Sequence, residues 1–139
     1  MAENKRVLLD SSALLDWFDD KPSADLVESN IEHAAVSALT LSILATKIGA
    51  RTEPHESTRL LNLGLYIIDV DETIALEVAR VSFVTIAHNL TTEDLVVLAT
   101  GRVHQLSVVS GSDSLIGIKL DRPEVTTLRR SKKSARRHA

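Results

Sequence analysis

The chain of 139 residues has no cysteine, which excludes disulfides, thiolate metal sites and cysteine nucleophiles. Aromatic residues make up only 3%, so a core has to be built from Leu, Val, Ile and Ala. Among the few glycines, Gly64, Gly101, Gly111 and Gly117 form no phosphate-binding fingerprint. His33, His55, His88, His104 and His138 lack the spacing of zinc ligands, and no nucleophile-elbow pattern supports Ser/His/Asp catalysis. No apolar run approaches the roughly 18 residues needed to span a bilayer. The opening MAENKRVLLD carries no apolar signal core. These absences lead us to expect a soluble, cytoplasmic protein with no membrane partner.

What is present is ordinary globular material, 44% apolar and 25% charged. The net charge of −3 conceals an asymmetry. Arg129, Arg130, Lys132, Lys133, Arg136 and Arg137 crowd into the last eleven residues, which hold no acid, and leave 10 basic against 19 acidic groups elsewhere. Residues 1–128 therefore read as one domain, and 129–139 as a basic tail expected to be disordered. An acidic body with a basic appendage suits a protein that gathers cations in one place and meets a polyanion in another. A solubilising terminus explains the tail equally well.

Short apolar runs alternate with helical patterns. Val7-Leu8-Leu9 reads as a buried strand stopped by Asp10, with Ser11 or Ser12 able to cap a helix through Phe18. Asp19-Asp20-Lys21-Pro22 breaks the chain, and Ser23 to Ile31 is expected to be helical. Ala34-Ala35-Val36 is a second strand, followed by a helix from about Thr40. Further helices are expected over Pro54 to Leu63, Asp71 to His88 and Thr91 to Val103. Leu65 to Val70 and Leu106 to Val109 read as strands, and Val125 to Leu128 as an edge strand. Trp17-Phe18 suits packing better than base stacking. The alternation predicts an α/β domain with a largely parallel sheet covered on both faces.

Ligands of such sheets bind at the carboxyl ends of the strands. That rule selects Asp10 and Asp113, each just beyond a strand, and Asp94 in the first turn of the Thr91 helix. Each has a plain structural explanation. Asp10 can cap its helix, Asp94 can complete a capping pattern with Thr91, and Asp113 sits in a Gly/Ser turn. Together they admit another. Clustered carboxylates repel unless a hard cation such as Mg²⁺ or Mn²⁺ neutralises them, and such an ion can act on a phosphodiester.

The segments VLLDSSALL, SALTLSILATKIG, NLTTEDLVVLATG and LSVVSGSD, in this order and spacing, resemble a PIN domain. The resemblance is to the VapC-type toxin ribonucleases of toxin–antitoxin pairs, over roughly Val7 to Val125. It implies a three-layer α/β/α domain around a mostly parallel sheet of four to five strands. It also implies Mg²⁺- or Mn²⁺-dependent RNA cleavage, an antitoxin partner and a homodimer. Carried over by position, Asp10, Asp94 and Asp113 are the metal-binding and catalytic acids. Ser12, Ser110 and Ser112 are candidates for hydroxyl contacts to the site, and Gly111 stands where the family often has Thr. The six basic tail residues are the candidate RNA contacts.

One acid is missing. Wound at about 100° per residue, the helix after Thr40 gathers Leu41, Leu44, Ala45 and Ile48 into a core stripe. Ile43 falls opposite, beside Thr40 and Lys47, where the resemblance implies a metal-site Glu. Glu93 is one residue from Asp94 and so is expected to point about 100° away from it, a poor substitute. Loss of the fourth acid should weaken metal affinity, and misplacing a reactant by about 1 Å costs on the order of a hundredfold in rate. The sequence thus supports an impaired nuclease or, alternatively, a catalytically inactive RNA- or protein-binding module.

Overall fold

A computed structural model of the chain describes residues 6–51 and 63–128. The basic tail and, but for Leu63, the helix expected over Pro54 to Leu63 lie outside these residues. The strands are β1 (Val7–Leu9), β2 (Ala35–Ser37), β3 (Tyr66–Ile68), β4 (Ser107–Ser110) and β5 (Val125–Thr127). They form one sheet in the order β3-β2-β1-β4-β5, and every neighbouring pair is parallel. The helices are α1 (Ser11–Phe18), α2 (Asp25–Asn30), α3 (Ala38–Arg51), α4 (Glu72–Val84) and α5 (Thr92–His104). No helix among the described residues is long and apolar enough to cross a membrane.

Successive strand residues point to opposite faces, and this period of two divides the core. Leu8, Ala35 and Val108 face one side, where they pack with Ile74 and Val81 of α4 and Val97 and Leu98 of α5. Their neighbours Leu9, Val36 and Val109 face the other, against Ala13 and Leu14 of α1, Val27 of α2 and Leu44 and Ile48 of α3. Trp17 and Phe18 pack against this second cluster, as expected of that pair. The expected three-layer α/β/α architecture is therefore the one observed, with both faces covered as a parallel sheet requires.

Several boundaries differ from the sequence expectation. Ser23 to Ile31 is broken into a 3₁₀ turn at Pro22–Ala24, the short α2, and a second 3₁₀ turn at Ile31–His33. The helix expected to reach His88 stops at Val84, where the Thr85 hydroxyl turns back to donate to the Val81 carbonyl, 2.7 Å away. The strand expected over Leu65 to Val70 shortens to three residues because β2, its one partner, offers only three. On α3, Leu44 and Ile48 are fully buried as the stripe demands, and so is Thr40, one turn before Leu44 at the border of the polar side. Ile43, one turn further along that side, is half-buried.

The register sets the site. Leu9 pairs with Val109, so β1 and β4 end in step and the chain leaves both at one rim of the sheet. Asp10 and the loop after Ser110 meet there, and the first turn of α5 reaches the same place.

Candidate functional site

Asp10 is 2% exposed and caps α1, where its Oδ1 accepts from the Ala13 N–H at 2.9 Å. Ser11 and Ser12 do not cap that helix: Asp10, the residue after β1, already occupies the cap position. The same Oδ1 accepts from the Gly111 N–H at 3.1 Å, and Oδ2 accepts from the Ser110 hydroxyl. One carboxylate thus ties the end of β1, the start of α1 and the exit of β4. Burial pushes its pKa up to about 6 against the pull of those three hydrogen bonds, and the nearby Glu93 charge adds to the rise.

Gly111 has a steric reason to be glycine. A Cβ there would stand 2.8 Å from the Ser12 carbonyl carbon and 2.9 Å from the Ala13 nitrogen, so a side chain does not fit. Its neighbour Ser110 supplies the hydroxyl to Asp10 instead. Ser12 is half-buried, with its backbone against Gly111.

At the start of α5, Asp94 is buried and completes a capping box. The Thr91 hydroxyl accepts from the Asp94 N–H at 3.1 Å, and Asp94 Oδ2 accepts from the Thr91 N–H at 3.0 Å. Oδ2 also accepts from the Ser114 hydroxyl, which itself lies 2.7 Å from the Ser112 hydroxyl. Asp113 is exposed and opens a 3₁₀ turn, Asp113–Leu115, and its neighbours on either side, Ser112 and Ser114, make these contacts. The capping explanations of Asp10 and Asp94 therefore hold, whatever else these acids do.

Glu93 corrects the sequence reading. Its carboxylate turns into the rim and accepts from the Ser11 N–H at 2.8 Å, the Ser11 hydroxyl at 2.6 Å and the Thr40 hydroxyl at 2.9 Å. The 100° rule describes where Cβ points; a long Glu side chain in a first helical turn can swing across that angle. Sequence reasoning also missed Ser11, Thr40 and Ser114. Thr40 left one trace, a polar residue on the same face as the anomalous Ile43.

The donors at the rim are all oxygen, the kind a hard divalent cation takes. Among the described residues, no Lys or Arg pairs with Asp10, Glu93 or Asp94. Nor do any three acids or histidines there stand close enough together to hold one ion. Ile43 brings hydrocarbon where a fourth acid was expected, and both oxygens of Glu93 are engaged by Ser11 and Thr40. The arrangement suits a metal in kind of donor but does not fit one as a preformed cage.

The sequence pattern of the PIN domain matches residues 7–116. The chain belongs to the PIN domain family. No curated protein sequence matches it. Solved structures similar in fold to this PIN domain include a toxin–antitoxin complex from Klebsiella pneumoniae. It is 22% identical with a TM-score of 0.69, over 90% of this chain and 99% of that one. VapBC2 from Rickettsia felis, bound to a promoter DNA fragment, is 12% identical with a TM-score of 0.70, over 87% and 97%. VapBC-5 from Mycobacterium tuberculosis is 20% identical with a TM-score of 0.60, over 90% and 98%. At such identities the likeness establishes the fold. The family resemblance read from the sequence is borne out.

The buried Asp10 has a consequence for stability. A carboxyl whose pKa is raised by folding holds its proton more tightly in the native state, so stability falls as pH rises from 3.8 to about 6 and stays low above it. That interval corresponds to at most about 3 kcal/mol. Asp10→Asn keeps the shape and removes the charge. We expect it to melt higher than the unaltered chain at pH 7.5, with the gain shrinking as pH falls toward 4. A gain independent of pH, measured by thermal unfolding across this range, would refute the assignment.

Proposed function

We propose that this PIN domain is a toxin nuclease of the VapC type, acting on RNA, with its hydrolysis of phosphodiester bonds curtailed by the loss of one acid. The observation that carries the reading is Asp10, a buried carboxylate held by three donors at the carboxyl rim of a parallel sheet, without a basic partner among the described residues. A fold does not maintain such a charge for stability, since burying it costs free energy. Asp94 joins it from the start of α5.

Mg²⁺ or Mn²⁺ is the cofactor this reading calls for, and when bound it supplies charge neutralisation and an activated water. Asp10, Asp94 and Asp113 are the residues proposed to meet the ion, and Asp113 has to turn in from its exposed position to do so. Ser110 and Ser112 are the hydroxyls proposed to support the acids, with Ser12 nearby. The satisfied hydroxyl–carboxylate contacts and Ile43 favour a second reading, a catalytically silent module that binds RNA or a protein.

An antitoxin partner is supported by the similar structures, which are toxin–antitoxin complexes. A homodimer is supported by the exposed apolar side of α4 and the turn after it, where Leu76, Phe83, Val84 and Ile86 face solvent. The tail residues Arg129, Arg130, Lys132, Lys133, Arg136 and Arg137 are proposed to hold RNA phosphates.

RNA cleavage in Mn²⁺ and in Mg²⁺ tests the main reading, run on the unaltered chain, Ile43→Glu, and Ile43→Glu with Asp10→Asn. Slow cutting by the unaltered chain, faster after Ile43→Glu and abolished by Asp10→Asn, is expected. No cutting by any of them would favour the silent module. Deleting residues 129–139 should weaken RNA binding and reduce its salt dependence. With about 0.7 ions released per phosphate contact on single strands, six contacts correspond to a slope lower by about 4. An unchanged slope, read from binding at several salt concentrations, would make the tail a solubilising end.

A further inference from the structure

We propose that Glu93 is a positioning residue which supplies, from α5, the rim carboxylate that α3 lacks at position 43. The proposal rests on the reading of the rim as the working site. Asp94 at the third position of α5 turns back to close the capping box, and Glu93 at the second position is left to reach across. Its carboxylate takes three hydrogen bonds, two from Ser11 and one from Thr40, and both donor residues are completely buried. α1 and α3 cover one face of the sheet and α5 the other, so this one side chain fastens the two helix layers together over the carboxyl ends of the strands.

Position 43 lies one turn beyond Thr40, three residues on along α3. Residues at that spacing are neighbours, about 5–6 Å apart at Cβ. A carboxylate at 43 would stand beside the one that Thr40 already holds, and Asp10 is near enough to feel the Glu93 charge. Two acids in that space repel each other, and Lys47, one turn beyond position 43 on α3, is exposed to solvent and screens them only weakly. The site therefore takes one of the two, and this chain has it on α5. The half-buried hydrocarbon of Ile43 then fills the space on α3 without adding a charge. For the charge of the rim, Ile43 and Glu93 form one exchange of position between α3 and α5.

The exchange predicts that Ile43→Glu alone lowers the stability of the fold and that removing the acid at 93 as well restores part of it. Thermal unfolding of the full chain in EDTA, without RNA, reads this directly. The proteins compared are the unaltered chain, Glu93→Gln, Ile43→Glu and the double variant, with Ile43→Gln alone and paired with Glu93→Gln as uncharged controls. Glu93→Gln and Ile43→Glu should each lower the melting temperature by several degrees. The double variant should lose at most half of the summed drop, and this rescue should shrink in 1 M salt. The Ile43→Gln pair should show no such rescue. Drops that simply add, or an equal rescue in the uncharged pair, would overturn the proposal, the second by showing that bulk rather than charge couples the sites. The measurement involves neither metal nor RNA, so a failure of cleavage leaves it untouched, and additive drops leave the nuclease reading standing.

Discussion

The Asp10 carboxylate takes hydrogen bonds from Ser110, Gly111 and Ala13, which belong to segments that the sequence keeps a hundred residues apart. Much of the rim follows from that arrangement. For the Gly111 amide to reach Asp10, the exit of β4 has to pass against the first turn of α1, so close that position 111 has no room for a side chain. For β1 and β4 to end together, their register has to pair Leu9 with Val109, and the parallel sheet delivers it. The carboxylate is buried where the two helix layers meet at the strand ends. Its own pKa records the cost, since burial outweighs three donors.

The fold was largely legible in the sequence because it is built from short apolar runs whose period and stop signals are strong. Leu8, Leu9, Val108 and Val109 are buried, and Asp10 at the end of the first run marks the candidate rim through a rule about parallel sheets. Three-residue strands also explain the errors. β3 shortened because pairing, not propensity, limits an edge strand, and α4 stops at Val84 with Thr85 as its cap, an end that no hydrophobic period encodes. The site was legible only in part. Asp10 and Asp94 are at the rim, but Asp113 is exposed while Ser112 and Ser114 make the contacts around it. Helical wheel angles put Glu93 on the wrong side because they omit side-chain length and the prior use of Asp94 by the cap. Thr40 was visible as a polar residue beside Ile43, and its donation to Glu93 depended on a tertiary contact between positions 53 residues apart.

PIN domain membership and the rim chemistry pull in different directions here. The family implies acids arranged to share a cation, whereas in this chain each inward carboxylate has found donors within the protein: Ser110 for Asp10, Ser114 for Asp94, Ser11 and Thr40 for Glu93. Hydroxyl donors suit both roles. They hold a carboxylate in place without neutralising it, so the rim remains negatively charged and oxygen-rich while being mechanically fixed. A rim built this way is ordered by the protein's own donors.

On this reading the fold's own hydrogen bonds, without metal, lock the rim. Amide hydrogen exchange of the full chain in EDTA tests it at three positions, the Ser11, Ala13 and Gly111 N–H groups, each of which donates to a rim carboxylate. The account predicts that all three exchange as slowly as the central strand amides, opening only when the domain unfolds. Fast exchange at these three beside a protected sheet would contradict it, because the rim would then be loose until something else came to hold it.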